Sequence, residues 1–184
     1  QSTKRVKFGR WYGDGEHDYG GRSCRLLDTC VTEFGAQGFR WADKAEDRNA
    51  LWAMRHNAYR TTLQAFPGTI PVTTDICVPI SRLAEAVEET AAEIAASGIP
   101  GPIVGHVGDG NFHALLLPRA GDAVQWEQAQ ILAANMAKRA LRLGGTVSGE
   151  HGIGMGKVKY MEAEHGEAWA VMGAIKAALD PDGL

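Results

Sequence analysis

Pro102-Ile103-Val104-Gly105-His106-Val107-Gly108-Asp109-Gly110-Asn111-Phe112-His113-Ala114-Leu115-Leu116-Leu117 is the stretch on which the fold turns. Two short apolar runs, 102–107 and 112–117, flank Gly108-Asp109-Gly110-Asn111, and such a break between strand-forming runs predicts a β-hairpin. With Asp109-Gly110 as a two-residue turn, Gly108 pairs with Asn111, Val107 with Phe112 and His106 with His113. A hairpin here makes at least this part of the sheet antiparallel.

Outward from the hairpin, the β-branched stretch 70–78 predicts a strand. Ser81 can then cap a helix whose apolar positions Leu83, Val87, Ala91 and Ile94 share one face, with Gly98 and Pro100 ending it. On the other side, Asp122 and Gln125 resemble a capping box. They open a long helix carrying Val124, Trp126, Leu132, Met136 and Leu143 and closed by Gly144-Gly145. A Gly-rich segment, 144–156, follows, with a short strand near Thr146–Ser148, and a last helix runs over roughly 164–179 before Asp180-Pro181. The order β-α-β-β-α predicts an α+β fold, the ferredoxin-like split βαβ: an antiparallel sheet with helices packed on one face.

Upstream, residues 43–66 predict a helix, with Leu51, Trp52, Met54, Ala58 and Leu63 at helical intervals and Pro67-Gly68 as its stop. Residues 1–24 hold scattered glycines and no sustained period, and read as loop. Trp52, Trp126 and Trp169 fall at helical positions and are expected in the core. Cys77 is expected as a small buried strand residue rather than a reactive thiol.

The bulk numbers narrow the function class. A length of 184 residues suits one domain with a sizeable core. With 45% hydrophobic and 22% charged residues and a net charge of -3, the chain is neither disordered in composition nor built for nucleic acid. Cys24, Cys30 and Cys77 form no Cys-x-x-Cys pair, so neither a disulfide framework nor a thiolate zinc site is suggested, and a reducing compartment fits. No apolar run reaches the roughly 20 residues of a membrane span, and the start carries no export signal. The chain opens on Gln1, as an internal piece of a longer product would.

In the predicted hairpin register the two histidines face each other with Cβ atoms about 4.5–5.5 Å apart, close enough for both rings to reach one ion. A solvated or hydrogen-bonded histidine pair fits the same spacing. Ser148-Gly149-Glu150-His151-Gly152-Ile153-Gly154 offers an acid and a further histidine between glycines that let backbone approach a ligand. Glu150 completes a His-His-Glu set of the kind catalytic zinc sites use, with His151 beside it as acid or base. The segment also reads as a plain Gly-rich turn. Gly152-Ile153-Gly154-Met155-Gly156-Lys157 fails both phosphate-binding patterns. The Walker pattern needs glycine at His151 and Ser or Thr at Val158, and the dinucleotide fingerprint needs glycine at Lys157. His17, His56 and His165 have no partner pattern.

These two segments together, with Phe39-Arg40-Trp41-Ala42, Leu51-Trp52-Ala53-Met54-Arg55-His56, Thr74-Asp75-Ile76-Cys77-Val78-Pro79 and the closing Leu179-Asp180-Pro181-Asp182-Gly183-Leu184, resemble the C-terminal domain of the FAD-linked oxidase family. That family includes D-lactate, D-2-hydroxyglutarate and glycolate dehydrogenases. The resemblance assigns 25–184 to the substrate and metal domain and leaves 1–24 unassigned. It implies that His106, His113 and Glu150 hold a divalent metal, zinc or manganese, that His151 is the catalytic base, and that Arg55 grips the substrate carboxylate. The Thr74–Pro79 segment is most similar to the D-lactate group. The implied chemistry is oxidation of D-lactate or a similar 2-hydroxy acid to the 2-oxo acid, with FAD as hydride acceptor and electrons passed to a cytochrome or quinone.

The family's flavin-binding domain has no counterpart in these residues, so a separate flavin-binding domain or chain is the expected partner and the chain alone is expected to be inactive. The implied location is cytoplasmic or peripheral to the inner membrane, and mitochondrial in a eukaryote. The rival expectations are a stand-alone metal-binding ferredoxin-like module and an inactive remnant.

Overall fold

The computed structural model describes Ala42 and residues 44–183. The readings that fall on 1–24, on Cys24 and Cys30, on His17 and on Phe39 to Trp41 lie outside the described residues. The chain divides into two compact units, the first ending at Pro67 and the second beginning at Gly68.

In the first unit the expected single helix is two, α1 (Ala45–His56) and α2 (Ala58–Ala65), joined at Asn57. Glu46 and Asp47 lie in the first turn of α1 and Arg55 and His56 in its last, the order that suits the helix dipole. Trp52 is exposed rather than core, and its ring stacks on His56 at 5.4 Å.

The second unit is a four-stranded antiparallel sheet carrying helices on one face. Its strands are β1 (Val72–Thr73), β2 (Ile76–Cys77), β3 (Ile103–His106) and β4 (Asn111–Leu116). The expected strand over 70–78 is broken at Thr74-Asp75. Both halves nevertheless pair with β4 in one register, Val72 opposite Leu116 and Ile76 opposite Phe112. That register sets Thr74 opposite Ala114 and Asp75 opposite His113. β3 covers the other edge of β4, and Thr146 bridges to Cys77 on the outer edge of β2. The order Thr146, β1/β2, β4, β3 is that of the ferredoxin-like split βαβ.

The hairpin differs from expectation by two residues. His106 pairs with Asn111, Gly105 with Phe112 and Val104 with His113, and the turn is a short 3-10 segment at Val107–Asp109 followed by Gly110. Gly110 has φ +77°, its carbonyl accepts from the Val78 amide at 3.0 Å, and a Cβ there would meet the Val78 carbonyl oxygen, so this wider loop requires glycine at that position. His106 and His113 are therefore diagonal rather than opposite. A slip of two keeps every side chain on its own face, whereas a slip of one would have parted them.

Helices α3 (Leu83–Ser97) and α4 (Ala123–Arg142) pack on the face formed by Ile76, Phe112, Ala114 and Leu116. Ala86, Ile94, Ala129, Leu132, Met136, Ala140 and Leu143 fill that core. Ala91, expected on the buried stripe of α3, is exposed, and Ala86 and Thr90 take its place. Val124 and Trp126 are likewise exposed, because the buried face of α4 runs from Ala129 onward. A 3-10 turn at Ile80–Arg82 leads into α3, so Ser81 makes no cap. Gly98 ends α3 in the left-handed region at φ 71°, as expected. Asp122 caps α4 by accepting from the Gln125 amide at 3.0 Å, while the Gln125 side chain accepts from the Arg119 amide instead of closing the box.

Beyond the glycine-rich segment the expected last helix is again two, α5 (Met161–His165) and α6 (Ala168–Leu179), separated at Gly166. Val147, Met161 and Ala137 form a second small core with Trp169 packed against it.

Candidate functional site

Alternation along β4 sends Phe112, Ala114 and Leu116 into the helical core and Asn111, His113 and Leu115 to the opposite face. That opposite face also carries Asp75 and His106 by register. Onto it comes the 146–157 segment, with Ser148, Glu150 and His151 all bonded to Asp75. The sheet thus has an apolar side that builds the core and a polar side that builds a site.

Thr74 begins the arrangement. Its hydroxyl takes the Ala114 amide at 2.8 Å, a bond the ladder would normally give to a backbone carbonyl. The freed Thr74 carbonyl accepts from His113 Nδ1 at 3.1 Å. A carbonyl only accepts, so Nδ1 carries the proton and Nε2 of the neutral ring presents a bare lone pair. Burial, the largest influence, pushes the His113 pKa down and outweighs the Thr74 and carboxylate contacts that push it up. The neutral ring is the favoured form.

His113 Nε2 lies 2.9 Å from Glu150 Oε1, and His106 Nε2 lies 3.4 Å from Glu150 Oε2. The first contact lacks hydrogen-bond alignment, and Nε2 is a buried nitrogen without a hydrogen-bond partner. A lone pair and a carboxylate oxygen at this distance repel unless a cation or proton lies between them. The ligand atoms of His106, His113 and Glu150 all fall within 4.8 Å of one another. Two imidazoles and a carboxylate are the donor set of open zinc sites, so the residues fit a divalent ion. His113 is nearly inaccessible while the Glu150 side chain is 47% exposed, so the cluster is anchored below and open above.

Asp75, His113 and His151 form a second trio of ligand-type atoms within the same limit. Chemistry argues against an ion there, because Nδ1 of His113 is committed to Thr74 and the Asp75 oxygens are already filled. Oδ1 accepts from Asn111 Nδ2 at 2.8 Å. Oδ2 accepts from Ser148 Oγ at 3.0 Å, the Glu150 amide at 3.1 Å and the His151 amide at 2.9 Å, with Lys157 Nζ at 3.4 Å. Burial works against the charge of Asp75, but these donors together prevail and hold its carboxyl well below the usual carboxylate range. Gly149 allows the approach, since a Cβ there would run into Asn111 Nδ2 and lie 3.0 Å from Asp75 Oδ1.

His151 stacks on His113 with ring centroids 4.8 Å apart and planes 9° apart, at the open side of the cluster. The four histidine and glutamate positions singled out in the sequence are thus brought together. Arg55 belongs to the first unit, in the last turn of α1. Cys77 is half-buried with its thiol donating to the Asp109 carbonyl at 3.2 Å, and burial, with Asp75 and Asp109 nearby, pushes its pKa up, away from reactivity. Sequence reasoning missed Asp75, Asn111 and Lys157 as site residues. A carboxylate in the middle of the β-branched run 70–78 was the signal for the first.

Residues 13–184 match the family of FAD linked oxidases, C-terminal domain. This chain belongs to that family. Its curated relatives include the probable mitochondrial D-lactate dehydrogenase of Danio rerio, 43% identical over 160 residues, which are 86% of this chain and 32% of that protein. The mitochondrial cytochrome D-lactate dehydrogenase of Arabidopsis thaliana is 34% identical over 171 residues, 92% of this chain and 30% of its own length. The glycolate oxidase subunit GlcD of Escherichia coli is 31% identical over 170 residues, 88% and 32% of the two chains. The chain therefore spans about a third of the length of these FAD-linked oxidases. Among the described residues no helix is long and apolar enough to cross a membrane.

Proposed function

We propose that residues 25–184 are the substrate- and metal-binding part of a FAD-dependent D-2-hydroxy-acid dehydrogenase that oxidises D-lactate or a similar small 2-hydroxy acid to the 2-oxo acid. The observation that carries the reading is the buried His113 Nε2, facing a carboxylate oxygen at 2.9 Å with no proton of its own to give. His106, His113 and Glu150 hold a divalent ion, zinc or manganese. When bound, the ion supplies Lewis-acid polarisation of the substrate hydroxyl and carboxylate oxygens. When FAD is bound by the remainder of the protein or by a partner chain, it supplies the hydride acceptor.

The residues of this chain do the rest. His151 accepts the hydroxyl proton on its imidazole, held in orientation by the His113 ring beneath it and by its own amide on Asp75. The carbon–oxygen bond gains its second component as that proton leaves and the α-hydrogen departs with its electron pair. Arg55, by family resemblance, offers the two-pronged guanidinium that carboxylates favour. The electrons pass on to a cytochrome or quinone. The names of the fish and plant relatives support a mitochondrial location for a eukaryotic source.

Metal content and titration calorimetry test this reading. The wild-type chain should take up about one equivalent of zinc or manganese, and His106→Ala and Glu150→Ala should lose it. Loaded with metal, the wild-type chain should bind D-lactate in preference to L-lactate. Metal uptake without any affinity for a 2-hydroxy acid would favour the stand-alone metal-binding module, and no uptake would favour the inactive remnant.

A further inference from the structure

We propose that Asp75 is the positioning residue of the metal centre, fastening the Glu150-His151 segment to the histidine hairpin so that Glu150 meets His106 and His113 in a preformed geometry. This rests on the metal reading above and deepens it. Three features of Asp75 carry it.

First, its donors are the parts of the site that need fixing. The backbone amides of Glu150 and His151, 3.1 and 2.9 Å from Oδ2, belong to the two residues whose side chains face the cluster. Ser148 Oγ lies 3.0 Å from the same oxygen and 3.0 Å from the Gly152 carbonyl, so its one proton is shared between two acceptors that bracket Glu150. Second, Asp75 reaches the hairpin as well. Asn111 Nδ2 donates to Oδ1 at 2.8 Å and to the Ile76 carbonyl at 2.9 Å, and Asn111 is the residue paired with His106 across the hairpin. Third, the site around Asp75 is shaped to exclude alternatives. Its side chain is 1% exposed, and Gly149 leaves room for no Cβ at that point.

Among the described residues, the hydrogen bonds of the Glu150 backbone amide go to Asp75 alone. The Glu150 side chain is half exposed, and the glycines that flank the Glu150-His151 pair, Gly149 and Gly152, bring no side-chain packing. Two adjacent amides on one buried carboxylate therefore set where Glu150 stands. Groups that orient metal ligands from behind typically alter metal affinity by about 10- to 100-fold when removed.

The test is zinc titration of the full chain as wild type, Asp75→Asn and Ser148→Ala, combined with residue-resolved amide exchange at Glu150 and His151 and with the visible spectrum of bound cobalt(II). The expected result is an affinity lower by about 10- to 100-fold in Asp75→Asn. Faster exchange at both amides and an altered cobalt spectrum should accompany it. Ser148→Ala, which removes one donor and keeps the carboxylate, should fall between the two. If Asp75→Asn does not fold, Ser148→Ala decides, and zinc affinity and amide exchange equal to wild type in that variant would overturn the proposal. Wild-type zinc binding with unchanged affinity in a folded Asp75→Asn would sink the positioning role while leaving the metal reading intact. A wild-type chain that binds no zinc fails the metal reading itself, and this one with it.

Discussion

His113 and Asp75 give the native chain two separate acid sensitivities. Burial lowers the His113 pKa, so as pH falls below the ordinary histidine value of about 6.5 the unfolded chain takes up a proton that the folded chain resists. The stability His113 contributes is present above that value and is lost as pH falls through the folded one. Asp75 acts lower down: its folded carboxyl sits well below the usual range, so its contribution holds until pH drops under about 4 and is lost beneath that. Urea unfolding of metal-free chain should show stability declining between pH 7.5 and 5.5 in wild type and less so in His113→Gln. An equal decline in both would remove His113 as the source.

Caps and clamps between elements offer cleaner measurements. Asp122→Ala removes the side-chain cap at the start of α4 and should cost about 1 kcal/mol in chemical unfolding, with the site undisturbed. A loss below a few tenths would mean that the Gln125 and Arg119 contact alone holds that turn. At this scale much was legible in advance. The antiparallel hairpin, the long α4 and the glycine stop of α3 follow from local chemistry at Gly110, Asp122 and Gly98. The breaks at Asn57 and Gly166 were not, because helical periodicity runs on through both. The hairpin register was misjudged by two since Gly110 is held by the Val78 amide, which donates to its carbonyl at 3.0 Å from a residue far away in sequence. His106, His113, Glu150 and His151 could be singled out because ligand-type residues among glycines are unusual. Asp75 could not be read as the hub of the site, for its donors come from Asn111, Ser148, Glu150, His151 and Lys157, and no local pattern encodes that convergence.

Across the second unit as a whole, α6 stands apart. Val171, Ile175 and Leu179 form an exposed apolar stripe along it, and none of its residues is buried. Stripes of this kind associate in water. Sedimentation velocity should find a concentration-dependent dimer that Ile175→Glu weakens, and a monodisperse monomer over a hundredfold concentration range would count against it.

The buried carboxylate at Asp75 also carries a message about time. Its bonds join residues 36 positions apart to Asn111 and 76 apart to His151, so the chain must close long loops before they can form. These separations predict that the cluster assembles late on the folding route, after the rate-limiting barrier. Stabilisation that arrives after the barrier slows escape from the native state and leaves entry unchanged. Saturating zinc should therefore lengthen the unfolding time in stopped-flow experiments with little change in the folding rate, and acceleration of folding by zinc would place the site's formation earlier. A metal bound in this way acts as a latch on a finished fold rather than as a seed for it.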